Sequence, residues 1–286
     1  MPGTAKTYAQ AVKDAEQYLK EHEIADAAVD AWLLFTYVTG ISRAGFLADR
    51  LLPMPQAQQD AYQALLEQRA EHIPLQHLTG EQEFMGYSFE VNRHVLVPRQ
   101  DTEILVEEAL AWIQPGMRVL DLCTGSGCIA VSLAKLCQNL SVDAADISAE
   151  ALEVAKRNAA RLNAEVQFYQ GDLFCTGQQY DCIVSNPPYI RTDVIETLSE
   201  EVRCHEPYQA LDGKEDGLYF YRRIIKESGA YLKQGGRLLF EIGYDQAEEV
   251  STLMQEAGYY DITVKQDLAG LDRVVAGIYG KQEDNR

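Results

Sequence analysis

Val119-Leu120-Asp121-Leu122-Cys123-Thr124-Gly125-Ser126-Gly127-Cys128-Ile129-Ala130 joins an apolar run, a glycine turn and the start of a helix. Val119 to Leu122 read as a strand, Thr124 to Gly127 as the turn and Ile129 to Cys137 as the helix. Gly125 to Ala130 fits the pattern G-x-G-x-x-G/A, in which glycines let a ligand approach the backbone at a helix N-terminus. Nicotinamide dinucleotide sites share it, so the pattern alone names no ligand.

Downstream the chain keeps alternating. Val142 to Ala145 form a second strand closed by Asp146, and a helix runs from Ala149 to Leu162 with Ser148 as its N-cap. Val166 to Tyr169 are the third strand, ended by Gly171-Asp172-Leu173. Cys182-Ile183-Val184 lie on the fourth. A helix from Gly217 to Leu232 is expected to stop at Gly235-Gly236, before a fifth strand from Arg237 to Ile242. One more helix, Gln246 to Ala257, leads to closing strands at Tyr260–Lys265 and Arg273–Ile278. Their short link predicts antiparallel pairing. The fold class is therefore α/β: an open, doubly wound, mostly parallel sheet with an antiparallel edge hairpin. Asp146, at the end of the second strand, is placed to accept from ribose hydroxyls. Asp172 could accept from an adenine amino group. With Cys123, Thr124, Gly125, Ser126, Gly127 and Leu173 they outline a nucleoside cradle.

The fourth strand ends as Asp181-Cys182-Ile183-Val184-Ser185-Asn186-Pro187-Pro188-Tyr189. Neither proline has an N–H for a ladder, so the chain must leave the sheet there. Asn186, ahead of a proline, is held extended. A carboxamide, a carbonyl and an aromatic ring then share one rigid turn at the carboxyl end of a strand. That set suits a planar amino group, with two acceptors for its hydrogens and a ring against its face. A bare strand-ending turn would use the same prolines.

The 286 residues, 47% hydrophobic and 24% charged, have the composition of a soluble globular protein. The longest wholly apolar or near-apolar run, Ala31 to Val38, is too short to span a bilayer, and Met1-Pro2-Gly3-Thr4 lacks the apolar core of a signal peptide. No membrane association and a cytoplasmic location are the expectation. Six cysteines (Cys123, Cys128, Cys137, Cys175, Cys182, Cys204) form no Cys-x-x-Cys and have no histidines at ligand spacing, so they read as reduced thiols, with no metal site expected. The formal net charge is −19, and residues 1–75 carry six Lys and Arg against ten Asp and Glu, so most of the negative charge lies further on. A surface of that sign repels phosphate backbones and disfavours nucleic-acid binding.

Residues 1–73 read as a small helical domain. One helix, Ile24 to Thr39, ends at Gly40, and Pro55 opens another carrying Ala61, Leu65 and Leu66. Trp32, Phe35 and Tyr37 are expected in its core. A β-hairpin linker is expected over 74–97, from Phe84 to Val91 around Gly86 with His94 to Val97 following. Pro98-Arg99-Gln100-Asp101-Thr102-Glu103 then opens a helix to about Ile113, with Asp101 as N-cap, and the third domain runs over 98–286. A short polar tail, Lys281 to Arg286, closes the chain.

Taken together these segments resemble class I S-adenosylmethionine-dependent methyltransferases, in which Asn-Pro-Pro-Tyr receives a planar amino group. Two branches share that motif, adenine amino methyltransferases of DNA and glutamine amide methyltransferases of proteins. The match is to the release factor glutamine methyltransferases (PrmC, also called HemK). It is carried by Pro98 to Glu103, Ser185 to Ile190, His205-Glu206-Pro207 with Ala210-Leu211, Asp216 to Leu218, Phe240 to Gly243 and Asp267 to Val275. It covers most of the chain from residue 74, and the helical domain fits the family in size and type. The family's cofactor turn usually begins with glycine, where Cys123 stands here. Asp121 to Gly125 with Gly127 to Ala130 is also similar to the sister enzyme that methylates a glutamine of a ribosomal protein. The sister lacks the Asp-Thr-Glu after Pro-Arg and the Ala-Gly-x-Asp-Arg ending.

The resemblance implies S-adenosylmethionine as cofactor and peptide chain release factors as protein partners of a monomeric enzyme. The reaction it implies is methylation of the glutamine amide in their Gly-Gly-Gln loop. It implies Asn186, Pro187 and Tyr189 as catalytic, and Asn186, Pro187, Pro188 and Tyr189 as substrate-binding. Cys123 to Gly127, Asp146, Asp172, Leu173 and Asn186 would hold the cofactor. Glu206 and Glu241 receive no catalytic role. Alternatives left open are the ribosomal protein glutamine methyltransferase, an adenine amino methyltransferase, a dinucleotide oxidoreductase, and a non-catalytic adaptor that keeps the sheet.

Overall fold

The computed structural model describes residues 6–280; residues 1–5, with Met1 to Thr4 among them, and the tail Lys281 to Arg286 lie outside them. In chain order the elements are helices α1 (Tyr8–Glu21), α2 (Ala27–Thr39), α3 (Arg43–Asp49), α4 (Gln56–Ala70) and α5 (Leu75–Thr79), then strands β1 (Glu81–Phe84) and β2 (Tyr87–Glu90). Helix α6 (Gln100–Leu110) precedes the alternating part: β3 (Arg118–Leu122), α7 (Cys128–Leu136), β4 (Ser141–Asp146), α8 (Ala149–Leu162), β5 (Val166–Gln170) and β6 (Tyr180–Ser185). Three short helices follow, α9 (Thr192–Ile195), α10 (Glu200–His205) and α11 (Tyr208–Leu211). The chain closes with α12 (Tyr219–Ser228), β7 (Leu232–Glu241), α13 (Ala247–Glu256), β8 (Tyr259–Gln266) and β9 (Asp272–Tyr279).

Two compact units result, one of residues 1–80 with 199–205, the other of 81–198 with 206–286. In the helical unit the apolar faces of α1, α2 and α4 bury Ala15, Leu19, Ala31, Leu34, Phe35, Tyr62 and Leu66. The Tyr62 hydroxyl donates to the Ala31 carbonyl at 2.6 Å. Phe35 is core as expected and Trp32 packs half-buried against that core, but Tyr37 is exposed with Val29 and Leu33. Those three recur every four residues along the outward face of α2. Among the described residues, Arg69 is the one long cation in this core. Its Nε meets Asp30 and its Nη2 meets Glu201 of α10, both at 2.7 Å, and Nη1 donates to the Ile73 carbonyl.

The larger unit is a seven-stranded sheet of order β5-β4-β3-β6-β7-β9-β8. Five strands are parallel, while β9 runs antiparallel to both β7 and β8. Central strands covered on both faces need apolar residues at every position, which is how β3 and β6 read. Leu120 and Ile183, paired in register, enter the core under α12 and α13, while Val119 and Cys182 face the core under α6 and α7. From β3 the chain winds outward through β4 to β5, then crosses back to β6 on the other flank of β3. The carboxyl ends of β3 and β6 thus form the switch point where open α/β sheets bind ligands.

Several boundaries differ from the sequence reading, each for a local reason. The hairpin is β1 with β2, turning at Met85-Gly86 with φ of 50° and 76°, the two-residue turn that matches strand twist. Residues 94–97 form no strand, and Leu75–Thr79 is helical. Helix α6 is capped at Arg99, so Asp101 sits inside its first turn. Strand β7 begins at Leu232, before Gly235-Gly236: Leu232 pairs with Tyr180, the glycines bulge out, and pairing resumes at Arg237 with Cys182. A glycine pair read as a stop is here a bulge.

Arg69 yields a stability prediction. Arg69→Ala strands the Asp30 carboxylate in the helical core, and breaking a buried pair this way costs about 3–5 kcal/mol. Urea denaturation followed by Trp32 fluorescence, with Trp112 replaced by Phe in every variant, should show a lower midpoint, with a smaller loss for Asp30 and Arg69 replaced together by apolar residues. A midpoint equal to wild type for Arg69→Ala would contradict the assignment.

Candidate active site

One cleft of about 260 Å3 opens over the switch point. Its walls come from the turn after β3, the ends of β4, β5 and β6, residues 94–102, and the segment around α11.

The turn after β3 is built on Asp121. This buried carboxylate accepts from the Thr124 hydroxyl at 2.6 Å and from the Ala130 N–H at 3.2 Å, both at Oδ2. Burial pushes its pKa up to about 7 against the pull of those two bonds, with Asp146 adding to the rise. Cys123 takes a left-handed backbone, φ 62°, at the place where the resembling family usually has glycine. Burial, with Asp146 and Asp121 behind it, pushes the Cys123 thiol far above its ordinary range, so it stays protonated. Gly125 is also left-handed, and a Cβ there would occupy space that no protein atom takes within 4 Å. Gly127 caps α7 with φ 79°, and its bare Cα lies so close to Ala155 that a Cβ would sit 3.0 Å from the alanine methyl. Asn158 of α8, fully buried, donates to both the Ser126 and Glu90 carbonyls and so ties the turn to β2.

Asp146 closes β4 with both oxygens on backbone amides: Oδ2 accepts from Gly125 and Oδ1 from Ser148, each at 2.9 Å. It therefore pins the glycine turn to the strand end and keeps lone pairs for a ligand. Burial raises its pKa more than these bonds lower it. Asp172 lines the cleft but is half-exposed and paired with Arg223 of α12 at 3.0 Å.

Beyond β6, Asn186 and Pro188 line the cleft, whereas Pro187 and Tyr189 are not on its wall. Asn186 Nδ2 donates to Thr102 Oγ1 of α6 at 3.3 Å. The Tyr189 hydroxyl donates to Glu241 Oε1 at 3.3 Å, at the end of β7. The Tyr189 carbonyl accepts from Gln246 Nε2 at 3.0 Å, and Gln246 Oε1 in turn accepts from the Gly243 N–H. Behind the turn Gly213 and Gly217 pack so tightly that a Cβ on either would lie 2.7 Å or less from the Tyr189 backbone. Burial pushes Glu241 up to about 7, with Thr102, Arg273 and Tyr189 pulling the other way. Arg99 also lines the cleft and holds the buried Glu206 carboxylate at 2.6 Å.

The structure thus brings Cys123, Thr124, Gly125, Ser126, Asp146, Asp172, Leu173, Asn186 and Pro188 onto one cleft. Gly127 stands behind it as a helix cap. Sequence reasoning missed Ile147, an exposed apolar residue directly after Asp146, and Phe220 of α12, both lining the cleft. An apolar side chain following a strand-end acid was the available signal for Ile147. Thr102, Gln246, Gly213 and Gly217 carried no local signal, because their partners lie far away in sequence.

Residues 10–80 match the family model described as PrmC N-terminal domain, and residues 100–202 match the methyltransferase small domain. The release factor glutamine methyltransferase of Geobacter sulfurreducens is 42% identical over 265 residues, covering 92% of this chain and 93% of that protein. The Bacillus subtilis enzyme of the same name is 39% identical over 289 residues, covering 97% of this chain and 100% of its own length. Among solved structures, a methyltransferase from Pyrococcus furiosus superposes with a TM-score of 0.53 at 18% identity, covering 69% of this chain and 91% of that one. The last likeness is one of fold. The first two run along nearly the whole chain, and on them this protein belongs to the release factor glutamine methyltransferase family.

Proposed function

We propose that this protein transfers a methyl group from S-adenosylmethionine to the side-chain amide nitrogen of the glutamine in the Gly-Gly-Gln motif of peptide chain release factors. The observation that carries the reading is one cleft shared by the glycine turn, the strand-end Asp146 and the Asn186 amide. The residues suit the cofactor. The backbone at Gly125 leaves open space, Asp146 accepts from ribose hydroxyls, and Ile147, Leu173 and Phe220 supply apolar surface for a base. Asp172, with one oxygen on Arg223, keeps the other for an adenine amino group. When bound, S-adenosylmethionine supplies an electrophilic methyl on a sulfonium.

The chain's own part is to hold the acceptor. An amide nitrogen is a poor nucleophile because its lone pair is delocalised into the carbonyl. The Asn186 side-chain oxygen and the Pro187 carbonyl accept its two hydrogens and favour a pyramidal nitrogen with its lone pair free. Positive charge growing on that nitrogen is then stabilised more than the ground state, and only such differential binding accelerates a reaction. Tyr189 packs against the glutamine. Fixing the nitrogen in line adds the advantage of proximity. No general base has to act first, since the methylated nitrogen can lose its proton afterwards.

Protein rather than nucleic acid is the substrate in this reading, supported by the charge of −19. We assign substrate binding to the helical residues 1–73, with 74–97 as the connection and 98–286 as the methyltransferase domain, in a monomer working in the cytoplasm where translation takes place. No helix among the described residues is long and apolar enough to cross a membrane.

Mass spectrometry of the glutamine-bearing peptide of a release factor, incubated with and without the protein, tests the reaction directly. A gain of one methyl on the glutamine is expected, and an unmodified peptide would refute it. Asn186→Ala should slow methyl transfer in a single turnover about 10²-fold or more while changing cofactor affinity little. An unchanged rate would remove Asn186 from the reaction. Asp146→Ala should have the opposite emphasis: calorimetry should show weaker cofactor binding, and equal affinity would count against the ribose role.

A further inference from the structure

The ion pairs around the cleft are not placed alike, and two of them give it a direction. Asp172 lies on the wall while its partner Arg223 does not, so that pair shows the cleft its acid. With Asp146 beside it, the ends of β4 and β5 offer acceptors. Arg99 and Glu206 are arranged the other way round. Arg99 is on the wall with 43% of its side chain exposed, and Glu206, with 1% exposed, is off the wall and bonded to it at 2.6 Å. That pair shows the cleft its cation. Lys214 also lines the cleft, but so does its partner Asp212 at 2.8 Å, so there the two signs cancel. Arg99 stands at the end away from the acids. It caps α6 one turn before Thr102, and Thr102 takes the Asn186 amide at 3.3 Å, just beyond β6. The strand order β5-β4-β3-β6 puts β3 between that end and the acids.

We infer that Arg99 binds the carboxylate on the methionine part of S-adenosylmethionine and so fixes the cofactor at the end opposite its adenosine. The inference rests on the function proposed above. The cofactor has the same polarity as the cleft. Ribose hydroxyls and an adenine amino group, with hydrogens to give, are at one end, and an amino-acid carboxylate is at the other. With adenosine on Asp146 and Asp172 and the methyl at Asn186, the amino-acid arm is left for the α6 end. An arginine stays charged at any working pH and offers five N–H hydrogens in a flat fork. The bond from Nη2 to Glu206 is the one hydrogen bond the guanidinium makes among the described residues. Nε and Nη1 therefore keep hydrogens for a second carboxylate. Two parallel N–H···O bonds recognise that group by shape as well as by charge. Glu206 holds the long side chain in one place, which lowers the rotamer freedom lost when the ligand binds.

Removing Arg99 alone would strand the buried Glu206, so the variant to test replaces the pair, Arg99→Met with Glu206→Gln. A second variant, Arg99→Lys, keeps the charge without the fork. The probes are S-adenosylmethionine and its decarboxylated form, which differ by that one group, and calorimetry follows their binding with no acceptor present. Wild type should bind the intact cofactor roughly 10- to 100-fold more tightly, the range for a hydrogen bond between charged groups. In the paired variant that preference should disappear, while affinity for the decarboxylated form stays as in wild type. Arg99→Lys should fall between the two. Equal loss of affinity for both ligands would mean that Arg99 only shapes the wall, and a preference kept by the paired variant would put the carboxylate elsewhere. Either result overturns the inference. So does a higher KM for the release factor with cofactor binding unchanged, which would move Arg99 to the protein substrate. If wild type binds neither ligand, the cofactor assignment itself has failed; if it binds both alike, that assignment stands and only the role of Arg99 falls.

Discussion

Two consecutive residues without an amide hydrogen end β6, and the placement of the whole cleft follows from that. Pro187 and Pro188 cannot extend a ladder whose neighbours are β3 and β7, both parallel to β6. The chain must turn out at the carboxyl edge, beside the point where strand order reverses. Asn186 is thereby delivered next to the turn that follows β3. Having left the sheet, the turn needs new backbone partners. Gln246 supplies one at the Tyr189 carbonyl, and the Ile190 N–H and carbonyl pair with Leu211 and Gly213. Gly213 and Gly217 are glycines because that second layer lies directly on the Tyr189 backbone. A proline pair thus dictates, some twenty-five residues later, where side chains are forbidden.

Much of this was legible in the sequence, and the rest was hidden for definable reasons. Helix α8 was legible from its start, where Ser148 caps it through its hydroxyl, and the structure adds that Asn163 ends it in a left-handed conformation. Strands β3, β4 and β6 were legible because buried parallel strands are short apolar runs with sharp ends. The start of β7 was not: Gly235-Gly236 carries the same letters whether it breaks an element or bulges within it, and only the pairing of Leu232 with Tyr180 decides. Tyr37 was misread for a similar reason. Aromatic spacing along α2 says that a face is apolar, not that another element covers it.

In the site the division is sharper. The glycine turn, Asp146 and Asn186, which line the cleft, announced themselves, because glycines in a turn, an acid at a strand end and an amide before prolines are uncommon combinations. Residues that hold those residues did not. Asp146 read as a ligand group, yet in the structure it is equally a structural one, with both oxygens on backbone amides. Thr102 read as an ordinary first-turn residue of α6, and Glu241 as a family motif without a role. Thr102 accepts from the Asn186 amide and Glu241 from the Tyr189 hydroxyl, contacts that can be read only when segments far apart in sequence are seen together.

Cys123 makes the same point from the other side. Its letter departs from the family's usual glycine, but its backbone does not: φ is 62°, the region that glycine enters freely and other residues enter at about 1–2 kcal/mol. The turn therefore keeps its path, and the cost falls on one residue. A partial offset is available, because the Cys123 side chain packs against the core formed by Leu120, Leu122 and Ile183, and covering apolar surface is worth about 25 cal/mol per Å2. A thiol suits this place better than a charge, since burial, with Asp146 and Asp121 beside it, raises its pKa and favours the neutral form. What the fold requires at this point is a conformation and an uncharged wall, and a small, sulfur-bearing side chain meets both requirements.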